Sequence, residues 1–199
     1  TVEEGTLKLP QNAQNQSWRY YDLIAVSNGA TLFTCGTADK SVGSTLTAPL
    51  GLIGEGVVTN DCTKACFLEI AGGGRIWSHE FAGRIAGSII LNNGYTHFNL
   101  IGTNNAFQGI MAIRENSAED TLQDVRIGLK KIGKKTDAES SAGKNNGSYG
   151  LGFRDTCLWT RNHGSGYLYI GDGETTDKDI AVHATHKDGV APGFNPNFF

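Results

Sequence analysis

The chain has 199 residues, of which 27 are glycine and only 4 are proline, and its formal net charge is −3. This length is typical of a single β-rich domain, and glycine at about twice its average share of ~7% indicates many tight turns rather than one linker. The near balance of 17 basic and 20 acidic residues argues against nucleic acid or anionic lipid as a main partner.

The sequence predicts neither a membrane span nor a secretory signal. No apolar run approaches the roughly 18 residues of a membrane span, so we expect no membrane insertion. Residues 1–4 lack the basic and apolar regions of a secretory signal. A start at Thr1 fits removal of an initiator methionine and cleavage from a longer precursor equally well.

Four cysteines could form two disulfides in three pairings, but a chain of this length does not need them. Cys62 and Cys66 are spaced like half of a zinc site, yet no second Cys/His pair has zinc-ligand spacing. Buried free thiols, or one incidental disulfide, are therefore the preferred interpretation of Cys35, Cys62, Cys66 and Cys157.

Three segments follow one another along the chain. Residues 1–17 contain a short alternating piece stopped by Pro10 and then a polar run, and they have little to bury unless they pair with something else. We predict an N-terminal arm at 1–17, a single β-rich domain at 18–188 and an irregular tail at 189–199. The tail ends in Phe198 and Phe199.

The stretch 86–113 predicts how the core is built. Its three short apolar runs are separated by Asn92-Asn93-Gly94 and by residues 102–105. Asn-Gly between two β-prone runs is a strong hairpin signal, because a type I′ turn needs left-handed dihedrals at both central residues. The sequence therefore predicts a mainly β fold, an antiparallel β-sandwich or barrel-like structure, with a short β-helix as the alternative.

The sequence predicts a helix in one segment, 117–133. Ser117 is a suitable N-cap, Asp120 can close a capping box, and Gly133 is a suitable C-terminal residue. An apolar stripe has helical spacing and consists of Leu122, Val125, Leu129 and Ile132. A strand remains the alternative, because Val125, Ile127 and Leu129 also alternate, and Gly128 would cost about 1 kcal/mol inside a helix.

An acidic loop at 171–179 is the one candidate metal site. Carboxylates on a glycine-containing loop are the ligands that Ca²⁺ prefers, but their spacing differs from the EF-hand pattern and Lys178 lies among them. A solvated acidic loop without a cofactor is the preferred interpretation, and a Ca²⁺ site is the alternative. The candidate ligands are Asp172, Glu174, Asp177 and Asp179.

The histidines do not predict a catalytic or metal site. In the alternating segment 75–81, His79 lies on the same side as Trp77 and Phe81, which predicts a core histidine. Glu80 then points the other way, so these neighbours are not an acid–base pair. His183 and His186 lie on opposite faces of a strand, which argues against a metal pair.

No catalytic residue can be assigned, since the fingerprints of hydrolases, nucleotide-binding proteins and metalloproteases are absent. Glycan cleavage needs two carboxylates across the sugar bond, but nothing selects a pair from Asp61, Glu69, Glu80, Asp155 and Asp172. Glycan binding could use strand aromatics, and the candidates are Trp159, Tyr167 and Tyr169.

The runs SIILNNGYTHFNLIGTNNAF and GSGYLYIGDG, with a polar arm and a Phe-Phe end, resemble virion surface proteins such as bacteriophage tail fibres, tailspikes and capsid decoration proteins. The resemblance implies self-association, commonly as trimers, and a place on a virion or extracellular surface. It also implies attachment to other virion proteins or recognition of a surface glycan.

The expected function is therefore that of a non-enzymatic structural or surface-binding subunit that associates through its arm, its tail and an exposed strand edge. The alternative is a glycan-binding or glycan-cleaving β-protein that uses a carboxylate pair. A fragment of a larger spike is a third interpretation.

Overall fold

A computed structural model describes residues 1–8, 18–21, 23–34, 46–49, 51–61, 66–70, 78–93, 97–107, 111–113, 126–144, 151–153, 166–178 and 180–182. These ranges contain short strands and no helix. Accordingly, the described part of the chain has no helix of the length and hydrophobicity that a membrane crossing requires.

The strands follow one another in sets of three. The first set is β1 (Thr6–Lys8), β2 (Trp18–Tyr21) and β3 (Ile24–Val26), and the second is β4 (Thr31–Phe33), β5 (Leu46–Pro49) and β6 (Leu52–Gly54). Next come β7 (Val57–Thr59), β8 (Cys66–Ile70) and β9 (Ser78–Phe81), then β10 (Arg84–Gly87), β11 (Ile89–Asn93) and β12 (His97–Leu100). The remaining strands are β13 (Ala106–Phe107), β14 (Met111–Ile113), β15 (Arg126–Leu129), β16 (Leu151–Phe153), β17 (Gly166–Tyr169) and β18 (Ile180–Val182).

Each set from β1–β3 to β13–β15 is one turn of a solenoid with three faces, while β16 and β18 extend the second sheet and β17 extends the third. The first sheet has the order β1-β4-β7-β10-β13, the second β2-β5-β8-β11-β14-β16-β18, and the third β3-β6-β9-β12-β15-β17. Neighbouring strands within all three sheets are parallel. Strands of the first sheet begin at Thr6, Thr31, Val57, Arg84 and Ala106, so one turn takes 22 to 27 residues. This arrangement is a parallel β-helix.

The predicted antiparallel sandwich or barrel is wrong, because the paired strands are parallel and the supposed hairpin is a corner. β11 pairs with β8 and β14 in the second sheet, whereas β12 pairs with β9 and β15 in the third. Asn93 is buried at this corner, and its Nδ2 donates to the carbonyl of Arg126 in the next turn at 2.9 Å. The same residue types serve hairpins and solenoid corners, so the local pattern could not distinguish them.

The predicted helix at 117–133 is also wrong where the structure describes it. Residues 126–129 form β15, which pairs in parallel with β12 and β17. Residues 130–133 are not helical, and residues 117–125 lie outside the described ranges. Ile127 and Leu129 are buried, so the strand alternation that was the alternative interpretation holds in β15. Pairing with two neighbouring strands outweighs the helix signals of the caps.

The core is a set of columns that run through the turns. The prediction that the central stretch contributes heavily to the core is confirmed, since its largest apolar side chains are completely buried. They are Ile89, Leu91, Phe98, Leu100 and Phe107. These side chains pack with the other buried apolar residues of the solenoid into one continuous core.

Stacked glycines form the corner between the third and first sheets. A Cβ on Gly56 would lie 2.4 Å from the carbonyl oxygen of Ser27, and one on Gly83 would lie 2.1 Å from that of Gly56. One on Gly102 would lie 2.2 Å from the carbonyl oxygen of Gly83. The turns approach so closely here that only glycine fits, which accounts for part of the high glycine content.

The first eight residues belong to the solenoid. β1 pairs with β4, and Val2 is 7% exposed and forms a parallel bridge with Val26. Leu7 lies in register with the buried Leu32 but is itself 45% exposed. The rest of the predicted arm, from residue 9 to residue 17, and the tail at 189–199 lie outside the described ranges.

Candidate binding surface

The third sheet has an outer face on which polar side chains of successive turns lie in register. On this face His97 lies between Ser78 and Arg126, and Asn99 lies between Glu80 and Gly128. The alternate residues His79, Phe98 and Ile127 are buried, so the polar ones face outward. We call the ladder surface the set Ser78, Glu80, His97, Asn99 and Arg126.

The ladder surface combines both charges with neutral hydrogen-bonding groups. Glu80 and Arg126 are exposed, and His97 and Asn99 are half-buried between them. Paired strands lie about 4.8 Å apart and residues rise about 3.3 Å along a strand, so Glu80 and Arg126, two strands and two residues apart, are separated by about 12 Å at their backbones. The sheet therefore presents donors and acceptors at the regular spacing of its strands.

Gly128 makes room for the side chain of Asn99. A Cβ at position 128 would lie 2.2 Å from Asn99 Oδ1 and 3.3 Å from Ile170 Cδ1. Asn99 therefore lies directly over Gly128, and its position on the ladder surface depends on the absence of a side chain at that glycine.

We expect Gly128→Ala to displace Asn99 and to lower the free energy of unfolding by about 1 kcal/mol, because the clash is with a side chain that can rotate away. Urea unfolding measures the loss, and the NMR signal of the Asn99 amide reports the displacement. In the Asn99→Ala background the substitution should be nearly neutral. The same loss in both backgrounds would contradict the contact.

His79 lies inside the solenoid, as predicted. It is 7% exposed. A Cβ on Gly51 would lie 2.5 Å from His79 Nε2, so the absence of a side chain at Gly51 leaves room for the ring. Burial lowers the pKa of His79 below its usual value of 6.5. Glu80 is exposed on the opposite face, so the two residues cannot act on one substrate group.

We expect the protein to lose stability as the pH falls below 6.5. Between the lowered pKa of His79 and 6.5, the unfolded chain binds a proton that the folded chain does not, so stability rises with pH in this window. Urea unfolding at about pH 5 and about pH 7.5 measures the slope. His79→Leu should reduce this slope, and an unchanged slope in that variant would exclude burial of His79 as the cause.

The acidic loop at 171–178 lies against the lysine-rich segment 130–135. Glu174 accepts hydrogen bonds from the backbone N–H groups of Ile132 and Gly133, the second at 2.9 Å. Asp177 Oδ1 accepts from the N–H of Lys135 at 2.7 Å. The Thr176 hydroxyl donates to the carbonyl of Gly133 at 2.6 Å. The loop is therefore anchored by its carboxylates.

The candidate calcium ligands thus differ in their hydrogen bonding and exposure. Glu174 and Asp177 bind backbone N–H groups, Asp172 is exposed, and Asp179 lies outside the described ranges. Within those ranges no three His, Cys, Asp or Glu side chains lie close enough together to hold a metal ion. Binding of Ca²⁺ by this loop stays a prediction.

Lys178 is a buried residue that the sequence pattern did not predict. It is 7% exposed, and its Nζ donates to the carbonyl of Gly143 at 2.8 Å and to Ser140 Oγ at 3.1 Å. Burial lowers its pKa, while the nearby carboxylates of Asp137 and Glu174 act in the opposite direction. With the buried Ser140, Ser141 and Ala142, it forms a cap over the end of the first sheet.

The predicted glycan-stacking residues are not part of the ladder surface. Tyr167 is half-buried and packs against the core. Tyr169 is half-buried, and its hydroxyl accepts a hydrogen bond from the N–H of Gly173 at 2.9 Å. Leu168, between them, is 38% exposed. Trp159 lies outside the described ranges.

The candidate carboxylates are distributed over the three faces. Asp61 follows β7 in the first sheet, Glu69 lies in β8 of the second, and Glu80 lies in β9 of the third. These three residues share one turn but lie on different faces of the solenoid. Asp172 follows β17 three turns later, and Cys66 begins β8. Asp155, His183, His186, Cys35, Cys62 and Cys157 lie outside the described ranges.

Two repeats in the sequence could have revealed the ladder surface. The strands SHEF, HFNL, RIGL and GYLY share an apolar residue at their second and fourth positions, except that the second position of SHEF is His79. In three of these four cases the second residue after the strand is a glycine, namely Gly83, Gly102 or Gly171. Together these repeats predict stacked turns in which the first and third positions of each strand face outward.

Comparisons of the chain with protein-family models, with curated proteins and with solved structures found no match. The class is therefore defined by the fold alone: the protein is a parallel β-helix with a polar ladder on one outer face.

Proposed function

We propose that the protein is a non-enzymatic surface-binding subunit whose ladder surface contacts an extended, hydroxyl-rich ligand such as a glycan chain. The observation that carries this proposal is the in-register placement of Glu80, Asn99, His97 and Arg126 on one rigid sheet. The resemblance of the sequence to virion surface proteins supports a setting on a virion or an extracellular surface.

The chemistry of the ladder surface suits sugar hydroxyls. A carboxylate accepts from hydroxyls, a guanidinium donates to them, and the Asn99 amide does both. Because the strands are already ordered, binding loses little conformational entropy in the protein. Four hydrogen bonds at about 1 kcal/mol each give a Kd of about 1 mM. Useful affinity would therefore need several copies that bind one surface together.

The first turn offers a contact for a second copy. Leu7 lies in the column of Leu32, which is completely buried, and yet Leu7 is 45% exposed. Complete burial of a leucine side chain contributes about 2 kcal/mol, so covering the 45% of Leu7 that is exposed would stabilise an assembly by about 1 kcal/mol per copy. Self-association that covers Leu7 is therefore our second proposal, and the resemblance to virion proteins implies trimers.

Binding is tested by a panel of polysaccharides measured by calorimetry and by release of reducing ends. We expect binding without cleavage, and Asn99→Ala should weaken it about fivefold, the effect of one lost hydrogen bond. Asn104→Ala is the matched control, because Asn104 is exposed and lies off the ladder surface. Equal affinity in both variants would refute the role of the ladder surface, and cleavage would show an enzyme instead.

Self-association is tested by light scattering over a range of concentrations. We expect Leu7→Asn to shift the protein towards the monomer, while Leu168→Asn, which changes a leucine that is 38% exposed elsewhere, should not. A monomer at every concentration in the unchanged protein would refute this second proposal without touching the first.

A further inference from the structure

The segment 132–135 has four consecutive backbone N–H groups that all donate to carboxylates. Those of Ile132 and Gly133 donate to Glu174, that of Lys134 donates to Asp137 at 3.0 Å, and that of Lys135 donates to Asp177 at 2.7 Å. Three acidic side chains therefore cover one short piece of backbone, and two of them come from the acidic loop.

The backbone geometry is that of an anion-binding concavity. Glu174 is held by both of its carboxylate oxygens on two successive N–H groups. Gly133 has a left-handed φ of 74°, the conformation that turns successive N–H groups towards one side. The hydrogen bond from Lys134 also lowers the pKa of Asp137, as expected of a carboxylate held by amides.

The charges around these amides favour anions as well. Residues 130–135 contain four lysines and no acidic residue, and Lys130, Lys134 and Lys135 are exposed. The occupying carboxylates of Glu174 and Asp177 belong to exposed residues of a loop. Lifting these two side chains would therefore uncover the amides without opening the apolar core.

We propose that the N–H groups of Ile132, Gly133 and Lys135, with the surrounding lysines, form an oxyanion site that the protein's own acidic loop occupies. A sulfate, phosphate or carboxylate group of a ligand takes the place of Glu174 and Asp177 when it binds. The site is separate from the ladder surface and does not depend on the function proposed for it.

Competition with the acidic loop sets the affinity of the oxyanion site for an external anion. Only the fraction of molecules with the carboxylates lifted can bind, so the unchanged protein binds a single small anion weakly. A polymer that carries many anionic groups competes better, since several groups can occupy the same site in turn. The two sources of the oxyanion, a free ion and a sulfated or uronic acid polysaccharide, can therefore be distinguished.

The test compares the Glu174→Gln/Asp177→Asn variant with the unchanged protein in titrations with inorganic sulfate and with dextran sulfate, and neutral dextran serves as the blank. Removing the internal carboxylates should tighten sulfate binding about tenfold, the change that one charge-assisted hydrogen bond supplies. Asp172→Asn changes an exposed acid of the same loop and should leave sulfate affinity nearly unchanged.

Amide NMR of the unchanged protein keeps the proposal testable even if the double variant does not fold. Dextran sulfate should shift the amide signals of Ile132, Gly133 and Lys135 more than those of β9 or β12, and inorganic sulfate should do so only at high concentration. Equal tightening in Asp172→Asn, or shifts that spare these three amides, would overturn the proposal.

Discussion

Gly83→Ala is expected to lower the free energy of unfolding by about 3 kcal/mol, at the upper end of the cost of overpacking. The new Cβ would lie 2.1 Å from the carbonyl oxygen of Gly56 and 2.6 Å from Phe81 Cζ. Neither neighbour can move aside easily, because Gly83 N–H and Arg84 N–H bond to carbonyls of the turn below at 3.1 and 2.9 Å. A shift here would therefore separate two turns of the solenoid.

Chemical denaturation measures this loss, and Gly29→Ala is the control. Gly29 has a φ of 83° but nothing within 4 Å of the position of a Cβ, so its substitution introduces backbone strain of about 1 kcal/mol without a clash. If Gly83→Ala cost no more than Gly29→Ala, close stacking of the corner glycines would not be the reason for their presence.

Asn105→Ala is expected to cost about 3 kcal/mol, because it leaves three backbone groups without their partner. Asn105 is completely buried. Its Oδ1 accepts from the N–H of Ile85 at 2.6 Å, and its Nδ2 donates to the carbonyls of Gly102 and Ser141 at 2.9 and 3.3 Å. The amide thus joins the last strand of the first sheet to the cap.

The neighbouring Asn104→Ala is the matched control, since Asn104 is exposed and its backbone carbonyl, which accepts from Arg84 Nε at 3.1 Å, is unchanged by the substitution. We expect a change within about 0.5 kcal/mol there. Similar losses for the two asparagines in denaturant unfolding would mean that the buried amide is replaced by water and does not hold the cap.

Short apolar runs predicted several strands but not their partners. Ile89, Leu91, Phe98 and Leu100 are buried, as the apolar runs of the stretch 86–113 indicated, because such a run is a property of each strand by itself. Whether β11 turns back on β12 or continues into another sheet depends on contacts with strands a full turn away. Asn93 shows this, since its buried amide bonds to Arg126, 33 residues later.

Local sequence patterns could not predict the ladder surface or the cap, for the same reason. Glu80, Asn99 and Gly128 become neighbours only through the parallel register of three turns. Lys178 in an acidic loop suggested solvent exposure, but its ammonium group is held by Gly143 and Ser140, about 35 residues earlier. Asp172, by contrast, is exposed as a solvated loop predicts.

The connection between the first and second sheets varies greatly in length from turn to turn. Ser88 alone separates β10 from β11, whereas twelve residues separate β4 from β5. Pairing between turns within each sheet nevertheless stays parallel. The register of the three faces is thus independent of the number of residues in this connection, so lengthening it should leave Asn99 and Arg126 in place.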